Sequence, residues 1–172
     1  VENRNRIGDR CSCGRFLDRL GHVEMLTGPR ITASRVPCST MKPQDRSDSP
    51  TAEELIQRLE LLPHPEGGFY RETWRHNPSV DERGQGTAIY FLLPGGVTNR
   101  WHRVDATEIW HHYAGAALEL SLSAAPPTAD RLVRLGQNIL DGELPQAIVQ
   151  PHEWQSAKSL GDWTLVGCTV SP

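Results

Sequence analysis

Two residues six positions apart carry most of the chemistry that this sequence offers: His102 and Glu108, within Gly96-Val-Thr-Asn-Arg-Trp-His102-Arg-Val104-Asp-Ala-Thr-Glu108-Ile-Trp-His-His-Tyr-Ala-Gly115. An imidazole and a carboxylate suit a transition metal such as zinc, iron, nickel or manganese. They equally suit a general acid–base pair. The aromatic and β-branched content predicts strands here rather than a helix. Residues two apart on a strand share a face, so Arg100, His102 and Val104 are expected on one face, and Glu108, Trp110 and His112 on one face of the next strand. If the two strands form a hairpin, His102 and Glu108 converge on one cavity. Trp110 would then offer an apolar wall for a ring-shaped ligand. Arg71 and Arg100 are candidate anion anchors. His64, between two prolines, reads as a turn residue. No P-loop, Rossmann glycine pattern, G-x-S-x-G elbow or H-E-x-x-H motif is present.

The surrounding elements are predicted to be mostly short strands. The one helix is expected at 51–62, where Thr51-Ala-Glu-Glu54 forms a capping box and Leu55, Ile56, Leu59 and Leu62 form an apolar stripe. Pro63 is expected to end it. Pro63 to Gly68 is a turn cluster. Strands follow at 69–75, 87–93, 117–122, 131–135, 147–149, around 154–155, and at 163–170, with loops at 76–86 and 136–145. Thr87 to Leu93 is almost wholly apolar, the mark of a strand buried on both faces. Short strands with Gly/Pro turns at this spacing point to an all-β sandwich or barrel.

The 172 residues carry a net charge of −3, with 37% hydrophobic and 23% charged residues. This argues against a general nucleic-acid partner, which would need a basic face. No apolar run approaches the ~20 residues that span a bilayer, so no membrane partner is expected. Of the four cysteines, Cys11, Cys13 and Cys38 precede the expected domain and Cys168 lies in a strand. There is no C-x-x-C pair, and the pattern reads as a reducing, cytoplasmic compartment.

Residues 1–50 differ from the rest: the first 40 hold seven arginines, four acidic residues and no lysine. They read as a disordered or artefactual leader ahead of a domain at 51–172. A start at Met41 and an Arg-rich organellar transit peptide both remain open, with the acidic residues weighing against the second.

The spacing Gly96-x5-His102-x-Val104-x3-Glu108-x6-Gly115 resembles the first motif of the cupin superfamily, G-x5-H-x-H-x3,4-E-x6-G, with Val104 in place of the second histidine. A weaker second motif, at Gln150-Pro-His-Glu-Trp-Gln155, places Gln155 where cupins carry a third histidine. Leu62-Pro-His-Pro-Glu-Gly-Gly-Phe-Tyr-Arg-Glu-Thr73, Arg100-Trp-His-Arg-Val-Asp105, Glu108-Ile-Trp-His111 and Gly161-Asp-Trp-Thr-Leu-Val-Gly-Cys-Thr-Val170 further resemble a family of small single-domain cupins. Relatives run on for a short segment beyond Pro172, so the domain is expected to be C-terminally short. The resemblance implies an all-β cupin jelly-roll barrel with one short N-terminal helix, a homodimer, and a fold shared with deoxysugar epimerases.

The resulting expectation is a small-molecule ligand in the barrel cavity, handled by an isomerase or epimerase-like enzyme acting on a sugar-like or carboxylated substrate. His102 would be the acid/base, Glu108 its partner, and Arg100, Trp110, His112 and Gln155 the substrate-binding residues. The alternatives are a metal-dependent oxygenase or hydrolase type, with a divalent metal bound weakly by His102, Glu108 and Gln155, and a non-catalytic ligand-binding cupin. An amide oxygen is a poor transition-metal ligand, and Val104 is none.

Overall fold

A computed structural model describes residues 49–76 and 84–172. The expected leader at 1–50 therefore lies outside the described residues apart from Ser49 and Pro50, as does most of the loop at 76–86.

The helix α1 (Ala52–Arg58) begins as its sequence dictates. The Thr51 hydroxyl accepts from the Glu54 N–H at 3.2 Å, and the Glu54 carboxylate accepts from the Thr51 N–H at 2.7 Å. It ends earlier than the proline predicts. Glu60 has φ 54°, and the Leu61 N–H donates to the Ile56 carbonyl at 2.9 Å while the Glu60 N–H donates to Gln57 at 3.2 Å. This is a Schellman cap. It turns the chain so that Leu61 is buried against the helix's own stripe, and Pro63 lies in the first strand instead of stopping the helix.

Nine strands follow among the described residues: β1 (Leu62–Pro63), β2 (Phe69–Arg75), β3 (Thr87–Pro94), β4 (Thr107–Gly115), β5 (Leu118–Ser123), β6 (Arg131–Leu135), β7 (Gln146–Val149), β8 (Trp154–Ser159) and β9 (Trp163–Ser171). They form a six-stranded sheet in the order β1-β2-β3-β9-β4-β7 and a three-stranded sheet in the order β6-β5-β8. The named strands pair antiparallel throughout. Two such sheets face to face are a jelly roll.

The alternation of β3 shows how the layers stack. Phe91 and Leu93 pack between the sheets with Leu118, Leu120, Leu122 and Val166. Leu92, between them in sequence, faces the other way and packs with Ala52, Leu55, Ile56 and Leu61 of the helical segment. The helix covers one outer face of the large sheet, which is why β3 is apolar on both sides. Gly68 at the start of β2 has φ 77°, and a Cβ there would meet the Leu92 carbonyl oxygen at 2.7 Å. Only glycine lets the turn come this close to β3.

The expected hairpin between 100–104 and β4 does not form. β4 pairs with β9 and β7. Residues 98–102 instead run beside β8 through isolated bridges, Thr98 opposite Lys158 and His102 opposite Gln155. His102 and Glu108 thus belong to opposite layers and face a shared space between them. Among the described residues, no helix is long and apolar enough to cross a membrane.

Candidate functional site

The space between the layers is a cavity of about 220 Å³. His102, Glu108 and Trp110 line it, with Tyr70, Phe91 and Ile89 as aromatic and apolar wall. The indole of Trp110 meets Phe91 edge to face at 5.8 Å between centroids. Polar residues outside the expected set also line it, among them His64, Asn99 and Cys168.

His102 is held by its backbone and by its ring. Its N–H donates to the Gln155 carbonyl at 3.1 Å and its carbonyl accepts from the Gln155 N–H at 2.9 Å. Its ring Nδ1 lies 2.9 Å from the Arg100 carbonyl oxygen and 3.2 Å from Glu66 Oε2. A carbonyl oxygen can only accept, so Nδ1 carries the proton. In the neutral ring the lone pair then resides on Nε2, which has no partner among the described residues. The carboxylate that orients His102 is Glu66, not Glu108. Glu66 reaches it because its own carbonyl accepts from the Arg100 N–H at 2.6 Å, tying the β1–β2 turn to the segment that carries His102.

Glu108 stands in the opposite layer, on β4, and is buried. Its Oε2 accepts from the Gln155 amide nitrogen at 2.5 Å. Burial pushes the Glu108 carboxyl above its ordinary value, against the hydrogen bond from Gln155 and the nearby His102. The same burial, together with Glu108, pushes the Cys168 thiol well up.

Gln155 is wholly buried and both ends of its amide are engaged. Its nitrogen donates to Glu108, and its oxygen accepts from Trp110 Nε1 at 2.9 Å. It braces Glu108 and Trp110 and is not in the cavity wall. The Arg100 side chain is exposed and also outside the lining, because its segment is bridged to β8 only at single residues and face parity does not carry along it. His112 lies two residues, roughly 7 Å, farther along β4 than Trp110. Its Nε2 is 3.0 Å from the Ala116 carbonyl, beyond the cavity. Arg71 pairs with Glu60 at 3.3 Å and is no anion anchor for the site. Of the expected binding set, the structure brings only Trp110 to the cavity beside His102 and Glu108.

The donors present do not fit a metal ion. Val104 offers no ligand, the Gln155 oxygen is taken by an indole N–H, and Glu108 is engaged by the Gln155 amide. Among the described residues, no group of three His, Cys, Asp or Glu is placed to hold one.

His64 and Glu66 escape sequence reasoning because Pro-His-Pro-Glu-Gly-Gly reads as punctuation. The usable signal is the pair of glycines, Gly67 and Gly68, with φ of 102° and 77°. A turn that needs two such residues is folded back closely on something, here the cavity wall.

Two facing antiparallel sheets with a histidine and a glutamate confronting each other in the gap define a cupin. Residues 53–172 match the family described as Cupin superfamily (DUF985), and the chain belongs to that family. The fold is similar to the crystal structure of a protein from Shewanella oneidensis, with 35% identity and a TM-score of 0.65 over 72% of this chain and 79% of that one. It is also similar to a hypothetical protein from Leishmania major, with 33% identity and a TM-score of 0.63 over 72% of this chain and 82% of that one. Among curated proteins, none matches the chain.

Proposed function

We propose that this cupin binds a small, neutral, sugar-type molecule between its sheets and moves a proton on it, with His102 as base and Glu108 as acid. The observation that carries this reading is the Nδ1 geometry of His102. A ring proton locked onto the Arg100 carbonyl and Glu66 leaves a fixed, unpartnered Nε2 lone pair, the arrangement that makes a histidine a general base. Opposite it, a buried carboxyl with a raised pKa keeps its proton to higher pH than an exposed one. A fixed imidazole lone pair on one layer and a buried carboxyl that holds its proton on the other are the parts of an acid–base pair. Proton transfer of this kind suits an isomerase or epimerase.

Size and charge narrow the ligand. The cavity, at about 220 Å³, falls below the ~300–1,000 Å³ usual for drug-sized ligands. Among the described residues its lining includes Glu72 and Glu108, and the one lining cation, Arg75, is held by Glu72 through Nε at 3.0 Å and Nη2 at 2.5 Å. A carboxylated ligand would meet the Glu72 carboxylate and the buried Glu108 carboxyl, with no unpaired cation among the described lining residues to answer it. A neutral polyhydroxylated one meets hydrogen-bonding groups and aromatic wall.

Thermal-shift screening of neutral monosaccharides and polyols against the matching uronic acids tests the reading. Neutral compounds should raise the melting temperature and uronates should not. A ligand that binds but is never converted, with His102→Gln binding it equally well, would count against the acid–base assignment.

A further inference from the structure

The β1–β2 turn brings a second imidazole to the cavity, and its hydrogen bonding is the reverse of that at His102. His64 Nδ1 accepts from the backbone N–H of Glu66 at 3.3 Å. A ring nitrogen that accepts carries the lone pair, so the proton of neutral His64 resides on Nε2. That nitrogen has no partner among the described residues, while the ring lines the cavity. The ring is fixed edge to face against Tyr70 at 4.7 Å and Phe91 at 5.4 Å. The turn is closed by the His64 N–H donating to the Gly68 carbonyl at 2.9 Å and the Gly67 N–H donating to the His64 carbonyl at 3.0 Å. One cavity therefore holds two imidazoles in opposite tautomers, one presenting a lone pair and one presenting an N–H.

We propose that His64 is a catalytic residue of this site, its Nε2–H donating to the carbonyl oxygen of the substrate, and that the substrate is a small neutral α-hydroxy aldehyde or ketone. This rests on the reading of His102 as base. An N–H donor in a walled cavity has its greatest effect where negative charge develops, and a carbonyl oxygen is where it develops when the adjacent carbon loses a proton. In that step the α C–H bond breaks and its proton goes to His102 Nε2. The C–H electron pair becomes the new C=C bond, and the carbonyl π pair moves to oxygen as an enolate, which accepts the hydrogen bond from His64. Return of the proton from His102 regenerates the substrate, and delivery of the Glu108 proton to the other face of that carbon inverts it. No oxidant or reductant enters.

The charged groups facing His64 agree with a neutral donor. Burial lowers its pKa, Glu66 opposes that, with its carboxylate 3.8 Å from Nδ1, and nearby His102 lowers it further, with a net fall. An imidazolium would instead place a second proton on Nδ1, against the Glu66 N–H that now points to it.

Two measurements on the full chain test this. Long-range ¹H–¹⁵N NMR of the labelled protein at pH 8 should show His64 as the Nε2–H tautomer and His102 as the Nδ1–H tautomer. Finding His64 as Nδ1–H or as imidazolium overturns the inference whatever the activity. Deuterium wash-in from D₂O into glyceraldehyde, dihydroxyacetone and erythrulose, followed by ¹H NMR, should be catalysed by the wild type. His64→Phe, which keeps the packing on Tyr70 and Phe91, should slow it about 100-fold, and His64→Gln, which keeps an N–H donor, should retain most of it. Exchange by His64→Phe at the wild-type rate, with loss in His102→Gln, overturns the role of His64 and leaves the acid–base reading standing. Absence of exchange from every one of these carbonyl probes also overturns it. Exchange that survives His102→Gln overturns the underlying reading instead.

Discussion

The imidazole of His102 and the carboxylate of Glu66 lie 3.2 Å apart, although one belongs to the segment beside β8 and the other to the turn between β1 and β2. Glu66 is not in the cavity lining and acts through His102, so it is a positioning residue. Glu66→Gln keeps an oxygen that can accept from Nδ1–H, whereas Glu66→Ala leaves only the Arg100 carbonyl. With any converted ligand, Glu66→Ala is expected to lower kcat about 10–100-fold at nearly constant KM, and Glu66→Gln to recover most of it. Equal loss in both variants, or a change confined to KM, would place Glu66 in ligand binding instead.

The Glu108–Gln155–Trp110 chain is expected to matter for stability independently of any ligand. Gln155→Leu leaves a buried carboxyl without its donor and a buried indole N–H without its acceptor. Each orphaned group costs about 1–3 kcal/mol, so urea unfolding should show a loss of roughly 2–6 kcal/mol. A loss under about 1 kcal/mol would mean that these groups find other partners.

The raised pKa of Glu108 links folding to pH with a definite sign. The folded state binds the Glu108 proton more tightly than the unfolded chain does. Its contribution is fully present below the ordinary value of 4.5 and is lost as pH rises through the raised folded value. Glu108→Gln removes this dependence while keeping the shape. Urea midpoints across the mildly acidic to neutral range should therefore fall less steeply with rising pH in the variant than in the wild type. Parallel slopes would show that Glu108 titrates normally when folded.

Much of the fold is legible in the sequence, and each legible part rests on a local rule. The Thr51–Glu54 box starts the helix, the apolar run of β3 announces two covered faces, and the spacing from Gly96 to Gly115 matches the cupin pattern. Legibility fails where geometry is set by distant chain. Glu60 enters the left-handed region to bury Leu61, which no local preference requires of a glutamate. Parity predicts Arg100 inward, but parity holds only along a continuous strand, and 98–102 is bridged at isolated residues. His64 reaches the cavity and Glu66 reaches His102 because Gly67 and Gly68 fold the turn back onto residues some thirty positions away in sequence, a placement that spacing between Pro63 and Gly68 does not encode.

The proposed chemistry is a proton transfer by His102 on a neutral carbohydrate-like ligand. Its most direct measurement is solvent deuterium incorporation into the ligand found by thermal-shift screening, followed by ¹H NMR with wild-type protein and His102→Gln. The expected result is deuterium at one carbon of the ligand, with the rate about 100- to 10,000-fold lower in the variant. Conversion of the ligand by His102→Gln at the wild-type rate, or binding with no deuterium incorporated by the wild type, would contradict it.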